Sequence, residues 1–207
     1  MMRWRTRELG FTLIELMVVV ALLAILAALA APSFRNMIEM QRLRGINAQI
    51  VTDLQYVRGE AARRGVYGRV VFGAKSGQYT CYTLFVTRND VNVRCDCAPA
   101  SDATPVCPVG GQVEELKTVR VPTDSSVSVS VTVPPSDDPV GNAFAFDSVT
   151  GGLYAIRTDL APAPLASADV EARIDNDRRL LTKLVQTGRP QVCAPNAAVM
   201  QVTGCAP

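Results

Sequence analysis

The sequence predicts an α+β chain: a long N-terminal helix, apolar in its first half and amphipathic in its second, packed on an antiparallel β-rich head. Three observations carry this reading. The stretch from Leu16 to Phe34 holds no charged side chain and is almost wholly apolar. Beyond it, Leu43, Ile46, Ile50, Leu54, Val57 and Ala61 recur at helical spacing. After Gly65 the pattern changes to short alternating runs separated by turn-forming residues.

The apolar stretch would span roughly 28 Å as a helix, close to the ~30 Å hydrocarbon core of a bilayer. Leu, Ala, Met and Ile dominate it, so helix is favoured despite Val18, Val19 and Val20. Arg3, Arg5 and Arg7 precede it. A secretory signal peptide would show a similar basic start, and Ala28-Leu29-Ala30 offers a small-x-small cut that would leave Ala31 at the N-terminus. Three features oppose that alternative. The apolar run is longer than a usual signal core, Glu15 sits at its beginning, and the helical spacing continues past the cut. Pro32 lacks the backbone donor that an α-helix uses, so a kink or local loosening is expected there.

From Phe34 to Arg64 the polar residues Glu39, Arg42, Arg44, Gln49, Asp53, Arg58 and Arg63 fall between the apolar positions. That pattern makes an amphipathic helix whose apolar stripe packs on a sheet. Gly65 provides the stop. The head begins at residue 66 and runs to 207. Strands are expected at Val66–Phe72, Tyr79–Val86, Val91–Cys95, Lys117–Val121, Val127–Val133, Ala143–Phe146, Leu153–Ile156, Arg179–Gln186 and Pro190–Cys193. Turn signals stand at Lys75-Ser76-Gly77, Arg88-Asn89-Asp90, Thr150-Gly151-Gly152 and Thr187-Gly188. Ala98–Gly111, Pro134–Gly141 and Asp159–Ser167 read as loops.

Composition narrows the function. The chain has no histidine, which removes Ser-His-Asp and Cys-His catalysis in their usual forms and every histidine-containing zinc site. Asp137-Asp138 and Asp175-Asn176-Asp177 are acidic pairs in turn-like settings, and neither makes a full calcium loop. No catalytic residues, cofactor or metal are assigned, and the chain is not expected to be an enzyme. Removing Arg3, Arg5, Arg7 and Glu8 from 21 basic and 19 acidic side chains leaves 18 of each. A neutral chain argues against a strongly basic nucleic-acid binder.

All six cysteines follow residue 80, and an even number in a segment placed outside the cytoplasm suggests disulfides. Cys193 and Cys205 are expected to pair and tie down the C-terminus. With a turn centred at Arg88-Asn89, Cys81 would lie across from about position 96, so it would meet either Cys95 or Cys97, with Cys107 taking the other. A cysteine-only zinc site is the rival, and the spacing of Cys95 and Cys97 suits it poorly.

Gly10-Phe11-Thr12-Leu13-Ile14-Glu15, after a basic leader and before an apolar helix, closely resembles the processing site of type IV prepilins and type II secretion pseudopilins. The resemblance implies a leader of residues 1–10, cleavage by a prepilin peptidase between Gly10 and Phe11, and N-methylation of Phe11. It implies a helix over 11–34 that anchors in the inner membrane and then lies in a filament core, an amphipathic continuation over 35–65, and a pilin fold for the whole. It gives Glu15 a partner charge, the N-terminal amine of a neighbouring subunit, and it gives Pro32 a role in letting the helix extend or pack. A carboxylate near a helix N-terminus is favoured by the macrodipole, but costs a few kcal/mol deep in lipid unless paired. The localisation implied is a single pass through the bacterial inner membrane with the head in the periplasm, then a pilus or pseudopilus at the cell surface. The partners implied are other major and minor pilins.

The head resembles the GspH/FimT group of minor pilins through Phe144-Ala145-Phe146-Asp147-Ser148-Val149-Thr150-Gly151 and Thr187-Gly188-Arg189-Pro190-Gln191-Val192-Cys193. The resemblance implies a subunit of the complex that primes pilus assembly and sits at the tip, or its relative, the H-type minor pseudopilin of type II secretion. Some FimT-type proteins carry a Gly-Arg-x-Arg motif that contacts DNA phosphates. Here the second arginine is replaced by Gln191. Arg189 and Lys183 are the candidate DNA contacts, with Arg178 and Arg179 nearby and Asp175 and Asp177 offsetting them. An ordinary solvated Arg189 is the preferred reading over extracellular DNA as a partner.

Overall fold

The computed structural model describes residues 11–88, 95–99, 104–108, 113–134, 142–156 and 163–205, and structural statements concern these. The residues divide into two compact units, one up to Ile38 and one from Glu39 onward. Helix α1 runs Leu13–Arg64 and occupies parts of both.

In the first unit α1 opens on Thr12, outside the helix proper. Its large apolar side chains are exposed, from 84% at Phe11 to 46% at Val19. By length and composition no single helix among the described residues qualifies as a membrane span. Two consecutive stretches of α1, Leu13–Leu29 and Ser33–Arg64, qualify together. The break between them covers residues 30–32, where the sequence places Pro32.

In the second unit α1 buries Leu43, Ile50, Leu54, Val57 and Ala61, with Ile46 partly covered. These are the positions the helical spacing marks. The helix ends at Gly65, whose φ of 66° is left-handed, and the Val66 amide donates back to the Ala61 carbonyl at 3.1 Å. That six-residue closure is how helices commonly stop at glycine.

Two antiparallel sheets follow. The first contains β1 (Tyr67–Lys75), β2 (Tyr79–Thr87), β3 (Val113–Pro122), β5 (Ala143–Phe146), β6 (Leu153–Ala155) and β7 (Ala163–Pro164), in the order β3-β2-β1-β5-β6-β7. The second contains β4 (Ser128–Thr132), β8 (Ser167–Arg173), β9 (Arg179–Val185) and β10 (Pro190–Cys193), in the order β10-β9-β8-β4. A short helix, α2, covers Ala197–Met200. One core joins α1 to both sheets and includes Leu43, Ile50, Leu54, Phe72, Phe144, Phe146, Val170 and Leu184. β8 and β9 alternate strictly, with Ala168, Val170, Ala172, Leu180, Thr182 and Leu184 turned inward. β1 is buried almost continuously because its sheet is covered on both faces. The second face packs Val71, Phe85, Ala143 and Ala145 against Cys95, Cys107 and Val106.

The structure corrects three expectations. The strand at Val91–Cys95 was to pair with β2 in a hairpin, but β2 has β1 on one edge and β3 on the other, so its edges are filled. Cys95 itself is in coil, and residues 91–94 lie outside the described residues. β8 forms where no strand was expected, because Ala168 and Ala172 are weak apolar signals beside Asp169, Glu171 and Arg173. β7 falls inside the expected loop Asp159–Ser167.

Asp53 also departs from the sequence reading, which placed it among the polar positions of the helix. It is 4% exposed. Tyr82 Oη donates to its Oδ2 at 2.8 Å and Lys117 Nζ to its Oδ1 at 2.7 Å. One carboxylate thus joins α1 to β2 and β3. Burial, with the hydrogen bond to Asp53, pushes the Tyr82 phenol above its ordinary range. Asn47 is buried too, accepting from Thr182 Oγ1 at 3.1 Å and joining α1 to β9.

Candidate functional site

Two regions concentrate the motif residues. In the first unit, Thr12 caps α1. Its Oγ1 accepts the Glu15 amide at 3.3 Å and its carbonyl accepts the Leu16 amide at 3.2 Å. Threonine followed three residues on by glutamate is a capping-box pattern, which satisfies otherwise unpaired amides at a helix start. Glu15 therefore stands in the first turn, where the helix dipole favours a carboxylate. It makes no ion pair among the described residues. Thr12 was not singled out in the sequence, although Thr-x-x-Glu before an apolar run was a readable signal. Gly10 and the leader lie outside the described residues, and so does the cleavage junction.

In the second unit, the two segments that distinguish the head meet. Asp147 closes the turn between β5 and β6. Its Oδ2 accepts the Thr150 amide at 2.7 Å, the Val149 amide at 3.0 Å and the Thr150 hydroxyl at 2.9 Å. The Thr150 amide is the chief cause that holds the Asp147 carboxyl below its usual range. Gly151 follows with a φ of 64°. The turn after β9 carries Gly188 at a φ of 71°, and a Cβ placed there would lie 2.1 Å from the Gly151 carbonyl. Glycine is required by both backbone angle and space.

Arg58 of α1 clasps these turns. Its Nε donates to the Gly151 carbonyl at 3.0 Å and its Nη2 to the Thr187 carbonyl at 3.1 Å. Arg58 and the exposed Arg189 line one cleft of about 560 Å³, together with Thr150, Leu153, Tyr154 and Gln186. The sequence marks Arg58 only as one of the polar positions of the amphipathic helix. Its role depends on contacts 93 and 129 residues away along the chain, which local pattern does not encode.

The other residues named with Arg189 are not brought to that cleft. Arg178 Nη1 meets Glu39 at 2.6 Å and its Nε meets Asp175 at 2.7 Å. The Arg178 amide, at 2.7 Å, is the main cause holding the Asp175 carboxyl low. Arg179 lies 3.4 Å from Glu171. Lys183 sits half-buried in β9, in register with Asp169 and Gln191.

All six cysteines are in disulfides: Cys81–Cys97, Cys95–Cys107 and Cys193–Cys205. The C-terminal pair is the expected one, and Cys81 takes Cys97 from its two open partners. The route differs from the hairpin. The segment with Cys97 crosses β1 at Gly73, where a Cβ would lie 3.1 Å from the Cys97 sulfur and 3.7 Å from the Cys81 sulfur. Gly73 inside a strand was the available sign of such a close approach. With every thiolate oxidised, no sulfur is left for zinc. No cluster of metal-ligating side chains occurs among the described residues.

Comparison with known proteins bears mainly on the first region. Residues 5–31 match the family model described as the prokaryotic N-terminal methylation motif. No curated protein matches the chain. Among solved structures, the type IV minor pilin FimU of Pseudomonas aeruginosa strain PAO1 is similar at 12% identity and a TM-score of 0.40, covering 77% of this chain and 90% of that one.

Proposed function

We propose that this chain, which carries the prokaryotic N-terminal methylation motif at residues 5–31, is a minor pilin of a type IV pilus that acts as a structural subunit in the complex starting assembly at the tip. In this reading prepilin peptidase cuts between Gly10 and Phe11 and Phe11 is methylated. The precursor spans the inner membrane once, with its head in the periplasm, until it joins the filament.

The observation that carries the reading is the motif standing on a helix start. Thr12 caps the helix, Glu15 occupies its first turn, and exposed apolar side chains follow from Leu16 to Leu29. Such a helix is stable only in lipid or against other apolar helices, and the same surface serves both in turn. In a filament Glu15 then needs a cation, and the amine of a neighbouring Phe11 supplies one without a side chain having to enter the core. A pseudopilus of type II secretion would use the same chemistry, and the genes beside this one separate the two systems. DNA capture finds less support, since Arg178 and Arg179 are held by carboxylates.

The test is Glu15→Ala expressed in the native host. Cleavage continues, because it does not need the filament, while sheared filaments lack the variant subunit. Normal incorporation of Glu15→Ala would refute the proposal.

A further inference from the structure

Four arginines of the second unit meet carboxylates. Arg63 and Arg64 share Glu60, Arg64 also reaches Glu114, Arg178 lies between Glu39 and Asp175, and Arg179 faces Glu171. Arg58 and Arg189 have no ion pair among the described residues. The partners of Arg58 are two neutral carbonyls, which use two of its five N–H groups and leave the rest as donors. Both guanidinium groups line the cleft of about 560 Å³ between the β5–β6 and β9–β10 turns. No carboxylate occurs among its described lining residues. Thr150 and Gln186 add polar groups, and Tyr154 and Pro164 add an apolar wall.

The cleft is built rather than incidental. A Cβ at Gly151 would come within 2.6 Å of Arg58 Nε, so only glycine lets the guanidinium reach its carbonyl. That contact fixes the head-group in a partly buried place, where a charge is screened less than at the open surface.

We infer that this cleft recognises an acidic peptide segment of a partner protein, one side-chain carboxylate seated between Arg58 and Arg189. Guanidinium groups bind carboxylates through paired N–H donors, and two of them define both position and orientation. The apolar wall accommodates the aliphatic stem of the glutamate or a neighbouring side chain. A nucleic-acid strand would need a row of uncompensated cations to follow its phosphates, and Arg178 and Arg179 do not line the cleft and are held by carboxylates. The choice of a protein as partner rests on the filament-subunit reading; the anion chemistry of the cleft does not.

The experiment uses the full chain in detergent micelles at low salt, titrated by calorimetry with capped Glu-Glu-Glu, capped Gln-Gln-Gln and a ten-nucleotide oligothymidine. The expected result is saturable binding of the glutamate peptide, no binding of the glutamine peptide, and weakening of at least about tenfold in Arg189→Gln, the loss of one charged hydrogen-bonding partner. Arg189→Lys recovers part of the affinity. Because Arg189 is exposed, its variants keep the fold, and unchanged melting temperatures check this. No glutamate-peptide binding, equal binding by Arg189→Gln, or tighter Arg189-dependent binding of the oligonucleotide would each overturn the inference. The Glu15→Ala incorporation assay reads the filament reading separately, so failure of one is distinguishable from failure of the other.

Discussion

Arg58 donates to the Gly151 carbonyl at 3.0 Å while that same carbonyl lies 2.1 Å from where a Cβ of residue 188 would stand. One oxygen therefore ties the long helix to the β5–β6 turn and limits what the β9–β10 turn can carry. The two segments that look like separate signatures in the sequence form one structural unit.

Gly188→Ala is the sharpest probe of that unit. The left-handed backbone and the blocked Cβ position together should cost at least about 1–3 kcal/mol. Thermal unfolding of the full chain in micelles measures it. A melting temperature equal to wild type would show that the turns are free to separate. Gly77→Ala has the same sign of φ but open space around its Cβ, and should cost less.

Asp53→Ala leaves Tyr82 Oη buried without its acceptor and removes the partner of Lys117. The expected loss is about 1–3 kcal/mol for the stranded hydroxyl. Lys117→Met strands the Asp53 carboxylate, whose side chain is only 6% exposed, without its cation, and should cost at least as much, about 3 kcal/mol. Urea unfolding of both variants tests this, and a loss near zero in either would contradict the assignment of Asp53 as a buried link.

These two cases mark where the sequence was legible. The helical apolar positions, β5 and the Cys193–Cys205 pair could be read because each depends on nearby residues: a 3.6-residue period, a short apolar run, a loop closed at a terminus. β8 could not, since its inward positions are two alanines and one valine among charges, and only its place between β4 and β9 makes it a strand. Asp53 and Arg58 look alike on a helical wheel. Their fates differ because one faces Tyr82 and the other faces two distant turns, facts of tertiary packing alone. The N-terminal motif was legible for the opposite reason: its chemistry is contained in six consecutive residues.

The disulfides give a covalent prediction. Non-reducing peptide mapping should return Cys81–Cys97, Cys95–Cys107 and Cys193–Cys205. Cys193→Ser with Cys205→Ser should lower stability by about 3 kcal/mol in the chain-entropy account. Gly73→Val places bulk against the Cys97 sulfur and should reduce the yield of the first bridge. Recovery of Cys81–Cys95 would contradict the described path of the chain across β1.

Acid should weaken the head through Glu60 and Asp147. Hydrogen bonding to Arg63, then Arg64, lowers Glu60 from 4.5 to about 2, and the Thr150 amide chiefly lowers Asp147. Both values are depressed in the folded chain. Their contribution is therefore complete above the ordinary carboxyl range and is lost as pH falls through the folded values. Melting temperature should drop as pH falls below about 4.5, and less steeply in Glu60→Gln with Asp147→Asn. An identical acid slope in that double variant would show that these carboxylates are not responsible. Added salt should shrink the Glu60 part, which rests on ion pairs to Arg63 and Arg64, more than the Asp147 part, which rests on neutral amide and hydroxyl donors.

The most direct measurement is the N-terminus of the mature protein purified from its native membrane or filament. Mass spectrometry of the N-terminal peptide should find N-methylated Phe11 followed by Thr12, with Glu15 intact. An N-terminus at Ala31 would make the chain a released secreted protein and contradict the account at its base.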